Sequence, residues 1–156
     1  MIELVQVTDD EFNSFLERSV KNYASEKAKS GNWPEEGALE RSSEEFSRLL
    51  PEGRKTRDNY VFKIVDRENG ESVGNLWIAV NLKGELPGAY IFDIYVDENQ
   101  RGKGYGRATM MGLEKVVKDF GYNRISLQVF GHNKVAFELY KSCGYEITNI
   151  VMSKTI

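Results

Sequence analysis

One segment of the chain has the residue types and spacing to hold an anion. An apolar run, Tyr90-Ile-Phe-Asp-Ile-Tyr-Val96, leads into Asp97-Glu-Asn-Gln-Arg-Gly-Lys-Gly-Tyr-Gly-Arg107. Gly102, Gly104 and Gly106 carry no Cβ, so they accept φ > 0 and let several backbone N–H groups face one anion. A helix opening at this turn adds the positive end of its dipole. Arg101, Lys103 and Arg107 surround the turn with cations, and Arg can bond phosphate oxygens in pairs. The chemistry implied is main-chain binding of a pyrophosphate. The spacing G-x-G-x-G fits neither G-x-x-x-x-G-K-[ST] nor the early G-x-G-x-x-G of dinucleotide folds.

Other side chains stand out singly. Asp93 is a carboxylate inside an apolar strand, where burial without a partner is expensive, so it is either functional or paired. His132 has the pKa of a general base, yet a lone His ahead of a helix commonly serves a turn or cap. Trp33, Trp77, Tyr23 and Tyr90 are candidates for an acceptor pocket as well as for core. With one cysteine, Cys143, and one histidine, the chain has no disulfide framework and no Cys or His cluster for zinc. This composition suits a reducing, cytoplasmic compartment.

These groups must be placed by a single globular domain, since 156 residues at 40% hydrophobic and 29% charged bury a sizeable core. The net charge of −3 and the lack of a basic run argue against nucleic-acid binding. The acidic excess falls in the first sixty residues, so if a ligand site lies there a cationic ligand is slightly favoured. No apolar run approaches the roughly 18 residues of a membrane span, and the start is unlike a signal peptide.

The order of elements is α/β. Residues 2–7 read as a strand, and Thr8 with Glu11 form a capping box for a helix reaching about Lys29, with Phe12, Phe15, Leu16, Val20, Tyr23 and Ala24 on its apolar face. A second capping box, Ser42 with Glu45, predicts a short helix start, closed by Pro51 and Gly53. Residues 60–65 and 73–80 flank the turn Arg67-Glu-Asn-Gly70 as a hairpin. Residues 89–96 form a strand apolar on both faces, and 104–120 a helix. Residues 124–130 form the next strand, 133–142 the last helix, and 145–154 one or two terminal strands.

The motif R-x-x-G-x-G, from Arg101 to Gly106 after a strand ending Ile94-Tyr95-Val96, resembles the coenzyme A loop of the GNAT N-acetyltransferase superfamily. Asn133-Lys-Val-Ala136-Phe-Glu-Leu-Tyr140-Lys-Ser-Cys-Gly144-Tyr145 is similar to that superfamily's N-x-x-A-x-x-L-Y-x-x-x-G-[FY] signature. The resemblance covers residues 72–156, and Val129-Phe-Gly-His-Asn133 with the run Val151-Met-Ser-Lys-Thr-Ile156 points to its small YycN-like acetyltransferases.

The resemblance implies a mixed, mostly antiparallel central sheet of six to seven strands flanked by four helices. It further implies direct transfer of acetyl from acetyl-CoA to a primary amine, with no metal. The acceptor is a small-molecule amine or a protein or peptide amine, and homodimers are common among relatives. In such proteins the strand at residues 94–96 bulges. Ile94 N–H is then expected to polarise the acetyl carbonyl and Val96 to bond the pantetheine arm. The expected cofactor contacts are Ile94, Tyr95, Val96, Arg101, Gly102, Lys103, Gly104, Tyr105, Gly106, Arg107, Asn133, Ala136 and Tyr140. Tyr140 matches the tyrosine that protonates the departing thiolate, Asp93 is the candidate to orient or deprotonate the amine, and Asn133 is expected to bond the pantetheine amides, a plain N-cap being its alternative. A non-catalytic coenzyme A sensor of the same fold is the alternative.

Overall fold

In the computed structural model, which describes all 156 residues, local sequence signals set most of the helix ends. Strand β1 (Ile2–Gln6) gives way to helix α1 (Asp9–Lys29) at Thr8. Glu11 N–H donates to the Thr8 hydroxyl at 3.3 Å and Thr8 N–H donates to the Glu11 carboxylate at 2.9 Å. This is the reciprocal cap expected from the sequence. Helix α2 (Ala38–Leu49) departs from expectation, because it begins four residues before Ser42, after Gly37 in the left-handed conformation at φ 78°. Ser42 is fully buried inside α2 and its hydroxyl donates to the Val20 carbonyl at 2.7 Å. The serine ties α2 to α1 instead of capping.

The sheet follows as β2 (Asn59–Asp66), β3 (Ser72–Val80), β4 (Ala89–Val96) and, after helix α3 (Tyr105–Asp119), the short β5 (Ile125–Leu127). Helix α4 (Lys134–Ser142) comes last. Its order is β1-β2-β3-β4-β5, antiparallel throughout except that β4 and β5 run parallel. An aliphatic core of Leu76, Ile78, Val80, Ile91, Met110, Leu113 and Val117 packs one face against α3 and α4. An aromatic core of Phe12, Phe15, Phe46 and Trp77 packs the other against α1 and α2.

Five strands form where six to seven were expected. Residues 128–130 are not strand, and neither is any residue from 145 to 156. A strand persists only where its N–H and C=O groups find a neighbour. β5 has one neighbour, and only Ala89, Tyr90 and Ile91 of β4 pair with it.

β4 also carries a bulge. Trp77 of β3 lies opposite Asp93 and Ile78 lies opposite Ile91, leaving Phe92 as the extra residue. The bulge falls at Phe92, two residues ahead of the stretch 94–96 in which it was expected. An inserted residue breaks the alternation of side chains. Ile91 faces α3 and α4, Phe92 and Asp93 both face α1 and α2, and Ile94 returns to the aliphatic core.

Candidate active site

From Phe92 onward β4 parts from β5, and this splay defines the site. Asp97 N–H donates to the Val73 carbonyl of β3 at 2.9 Å. Backbone direction alternates along a strand, so Tyr95 and Asp93 also turn their N–H groups toward β3. Ile94 and Val96 turn theirs to the open side. Gly74 makes this geometry possible, since a Cβ there would lie 2.0 Å from the Tyr95 carbonyl oxygen. Nothing local in the sequence singles out that glycine, because its need arises from a strand paired twenty residues away.

Beyond Val96 a single 3-10 turn, Glu98–Gln100, delivers the chain to the glycine loop. Gly102 and Gly104 take φ of 77° and 87°, and a Cβ on either meets no atom within 4 Å. Their glycine requirement is conformational. Gly106 differs from expectation: it is helical, and a Cβ there would come 3.0 Å from Leu139, so it is small to let α3 approach α4. The N–H groups of residues 102–107 find no acceptor in the protein. Open space above a row of free donors at the start of α3 fits a pyrophosphate-bearing group.

The cations around the loop divide. Lys103 bonds the Gln100 side chain at 3.0 Å. Arg101 turns back, donating to the Val96 carbonyl at 2.9 Å with its guanidinium 5.2 Å from the Tyr95 ring centre. Arg107 donates to the Ser142 hydroxyl at 2.6 Å and so joins α3 to α4. Tyr105 donates its hydroxyl to Asp66, which holds that carboxylate below its usual range and raises the phenol.

Across the splay, α4 supplies Tyr140 and Asn133. Asn133 caps the helix, its side chain accepting from Ala136 N–H at 3.2 Å. Tyr140 is 9% exposed in the aliphatic core, and its hydroxyl makes no hydrogen bond within the protein. Burial, then the negative charge of Asp93, pushes its pKa up to about 12.

Asp93 is paired. Its Oδ2 accepts from the Ser19 hydroxyl at 2.8 Å and from Arg18 at 3.2 Å, while the Arg18 guanidinium lies 3.8 Å from the Tyr95 ring centre. The sequence reading passed over both partners. Ser19 lies on the apolar stripe of α1 between Phe15 and Tyr23, and a polar residue on such a stripe is the signal that marks it. His132 pairs through Nε2 with Glu26 of α1 and stacks on Phe130. Tyr23 contacts Trp33, Phe46 and Phe130, and burial followed by the Glu45 charge pushes its pKa up to about 12. Trp77 lies within the aromatic core, stacked on Phe92, against which Tyr90 packs edge-on. A groove of about 470 Å³ between α1 and α2, lined by Lys21, Ala28 and Leu39 among others, is formed by none of these residues.

The parallel pair that splays beside a glycine loop, with α4 opposite, is the arrangement of an acyl-transfer fold. Residues 23–145 match the acetyltransferase (GNAT) family. The chain is 36% identical to the N-acetyltransferase YycN of Bacillus subtilis over 99% of both chains, and 33% identical to YdgE of the same organism over 98% and 97%. It superposes on the crystal structure of YycN with a TM-score of 0.95, covering 100% of this chain and 99% of that one. This chain therefore belongs to the GNAT family and is an N-acetyltransferase. No helix in it is long and apolar enough to cross a membrane.

Proposed function

We propose that the 156 residues act as one cytoplasmic domain that binds acetyl-CoA and an amine together and transfers acetyl directly to a primary amine. The observation that carries this reading is the continuity of free donors. The N–H groups of Ile94 and Val96 face the splay, and those of residues 102–107 follow a few residues on. Acetyl-CoA supplies an activated thioester when bound.

The chain's own groups would divide the work. The loop from Arg101 to Arg107 takes the pyrophosphate by its main chain, with Tyr95 set beneath the Arg101 guanidinium. Val96 N–H and the free Asn133 amide hold the pantetheine arm, beside the first turn of α4 at Ala136. Ile94 N–H donates to the acetyl carbonyl oxygen where negative charge develops. Tyr140 stays protonated at every working pH because its pKa lies near 12. Phenolate is then a stronger base than a thiolate of pKa near ~8.5, so Tyr140 stabilises the departing sulfur chiefly as a hydrogen-bond donor. Asp93 keeps Oδ1 free while Arg18 and Ser19 occupy Oδ2. Through Oδ1 it orients the incoming ammonium and receives its proton by way of water. Holding both reactants in near-attack geometry supplies much of the rate.

Calorimetric titration with acetyl-CoA, beside free CoA and a Gly104→Asp variant, tests the reading. Binding weakened about a hundredfold by the aspartate supports it, since the change adds a repelled charge and strain at positive φ. Thiol release with a panel of amines then identifies the acceptor. Wild-type protein that binds no acetyl-CoA would overturn the proposal.

A further inference from the structure

Helix α1 touches both banks of the splay. On the β4 bank, Arg18 and Ser19 hold Asp93 through its Oδ2. On the opposite bank, formed by residues 128–133, Tyr23 packs against Phe130 with ring centres 6.3 Å apart, and Glu26 pairs with Nε2 of His132. Ser19, Tyr23 and Glu26 are spaced i, i+4 and i+7, so they share one face of α1, with Ser19 and Glu26 about 10.5 Å apart along its axis. The helix is thus a strut of fixed length between the two banks.

The second bank has little else to hold it. Residues 128–133 lie beyond β5 and none of them pairs with β4. Their main-chain hydrogen bonds run only among themselves and into α4, with Asn133 N–H donating to the Phe130 carbonyl at 2.9 Å and the His132 carbonyl accepting from Lys134 N–H at 3.1 Å. The one hydrogen bond tying this stretch to any element other than α4 is that of His132 with Glu26. Packing of Val129 on the aliphatic core and of Phe130 on Tyr23 adds adhesion, but hydrophobic contact carries no direction. The His132 ring stacks on Phe130, and its Nδ1 is buried without a partner. A proton there would be an unsatisfied buried donor, so the ring carries its hydrogen on Nε2 and donates it to Glu26.

We propose, resting on the assignment of the free Asn133 amide to the pantetheine arm, that Glu26 and His132 are positioning residues for acetyl-CoA. Anchoring the His132 ring fixes where the next residue begins, one peptide unit away. Oδ1 of Asn133 is committed to the Ala136 N–H, so the direction of its amide nitrogen follows the placement of the loop. The helix that holds Asp93 for the amine therefore also holds Asn133 for the cofactor.

Calorimetric titration with acetyl-CoA tests this without an amine, on full chains whose circular dichroism matches the wild type. Glu26→Ala should weaken binding about tenfold, the worth of one hydrogen bond, and so should His132→Phe, which keeps a flat ring on Phe130. Glu26→Gln retains an acceptor oxygen for Nε2–H and should bind like the wild type. Asn133→Ser keeps a capping oxygen but loses the amide, so it should weaken binding by itself, and adding Glu26→Ala to it should cost nothing more. Unchanged affinity in Glu26→Ala beside a weakened Asn133→Ser would overturn the proposal and leave the role of Asn133 standing. An Asn133→Ser protein that binds as the wild type does would remove that role and the proposal with it. Losses that add in the double variant would also overturn it, by marking a route that bypasses Asn133. So would a Glu26→Gln protein as weak as Glu26→Ala, which would mark a need for charge in place of an acceptor.

Discussion

The two faces of the sheet solve different problems. The face toward α3 and α4 is aliphatic, with Leu76, Ile78 and Leu113 fully buried. It carries the glycine loop on the end of α3. The face toward α1 and α2 is aromatic, with Phe15 edge-on to Trp77 at 6.2 Å and Trp77 stacked on Phe92 at 4.5 Å. That face also admits charge, in the pairs of Arg18 with Asp93 and of His132 with Glu26. Aliphatic groups offer a cation nothing, whereas ring faces attract one and ring edges tolerate polar neighbours. Support for the cofactor loop is thus built from residues that interact only by packing, and the side where charged groups gather is built from residues that hold charge in place.

The largest effect should come from breaking the aliphatic face. Leu113→Ala should lower unfolding free energy by about 3 kcal/mol in urea titration, through lost transfer energy and an unfilled cavity. Removing the Tyr140 hydroxyl acts on chemistry instead of packing. Tyr140→Phe should reduce kcat by about 10- to 100-fold and leave the KM for acetyl-CoA nearly unchanged, as steady-state thiol release will measure. On the aromatic face, Arg18→Met should cost about 1 to 2 kcal/mol, below the value for a fully buried pair, because both side chains retain some exposure. It should also raise the KM of the amine, since Asp93 is then fixed by Ser19 alone; an unchanged amine KM would separate Asp93 from acceptor binding.

The smallest effect is one of pH. Tyr140 ionises near 12 when folded and near 10.0 when unfolded. The native state holds this proton more tightly, so its contribution is complete below pH 10 and is lost as pH rises toward 12. Melting temperature should therefore fall across that window less steeply in Tyr140→Phe than in the wild type.

Legibility in the sequence followed the range of each interaction. The caps at Thr8 and Asn133, the hairpin at Gly70 and the loop glycines at 102 and 104 depend on neighbours within a few residues, and each is found where its residues indicate. The start of α2 was misread because Ser42 bonds across to Val20, a contact that the cap-like spacing to Glu45 conceals. Gly74, and the Ser19 and Arg18 partners of Asp93, answer to residues twenty or more positions away. The strands at 128–130 and 145–154 are well formed as patterns, but hydrogen bonding, which pattern alone cannot supply, is missing from the single chain.

The extra residue at Phe92 gives β4 a change of phase midway along its length. Ahead of it the odd-numbered residue, Ile91, faces the aliphatic core; beyond it the even-numbered Ile94 does. Pairing the same residues without the bulge would change no side chain, yet it would send Asp93 toward α4 and Ile94 toward α1, and would reverse which N–H groups meet the splay. Strand register at this point is therefore a chemical property. A relative that pairs these strands at full length without the bulge can keep every recognisable motif and still present a different set of donors to its substrates.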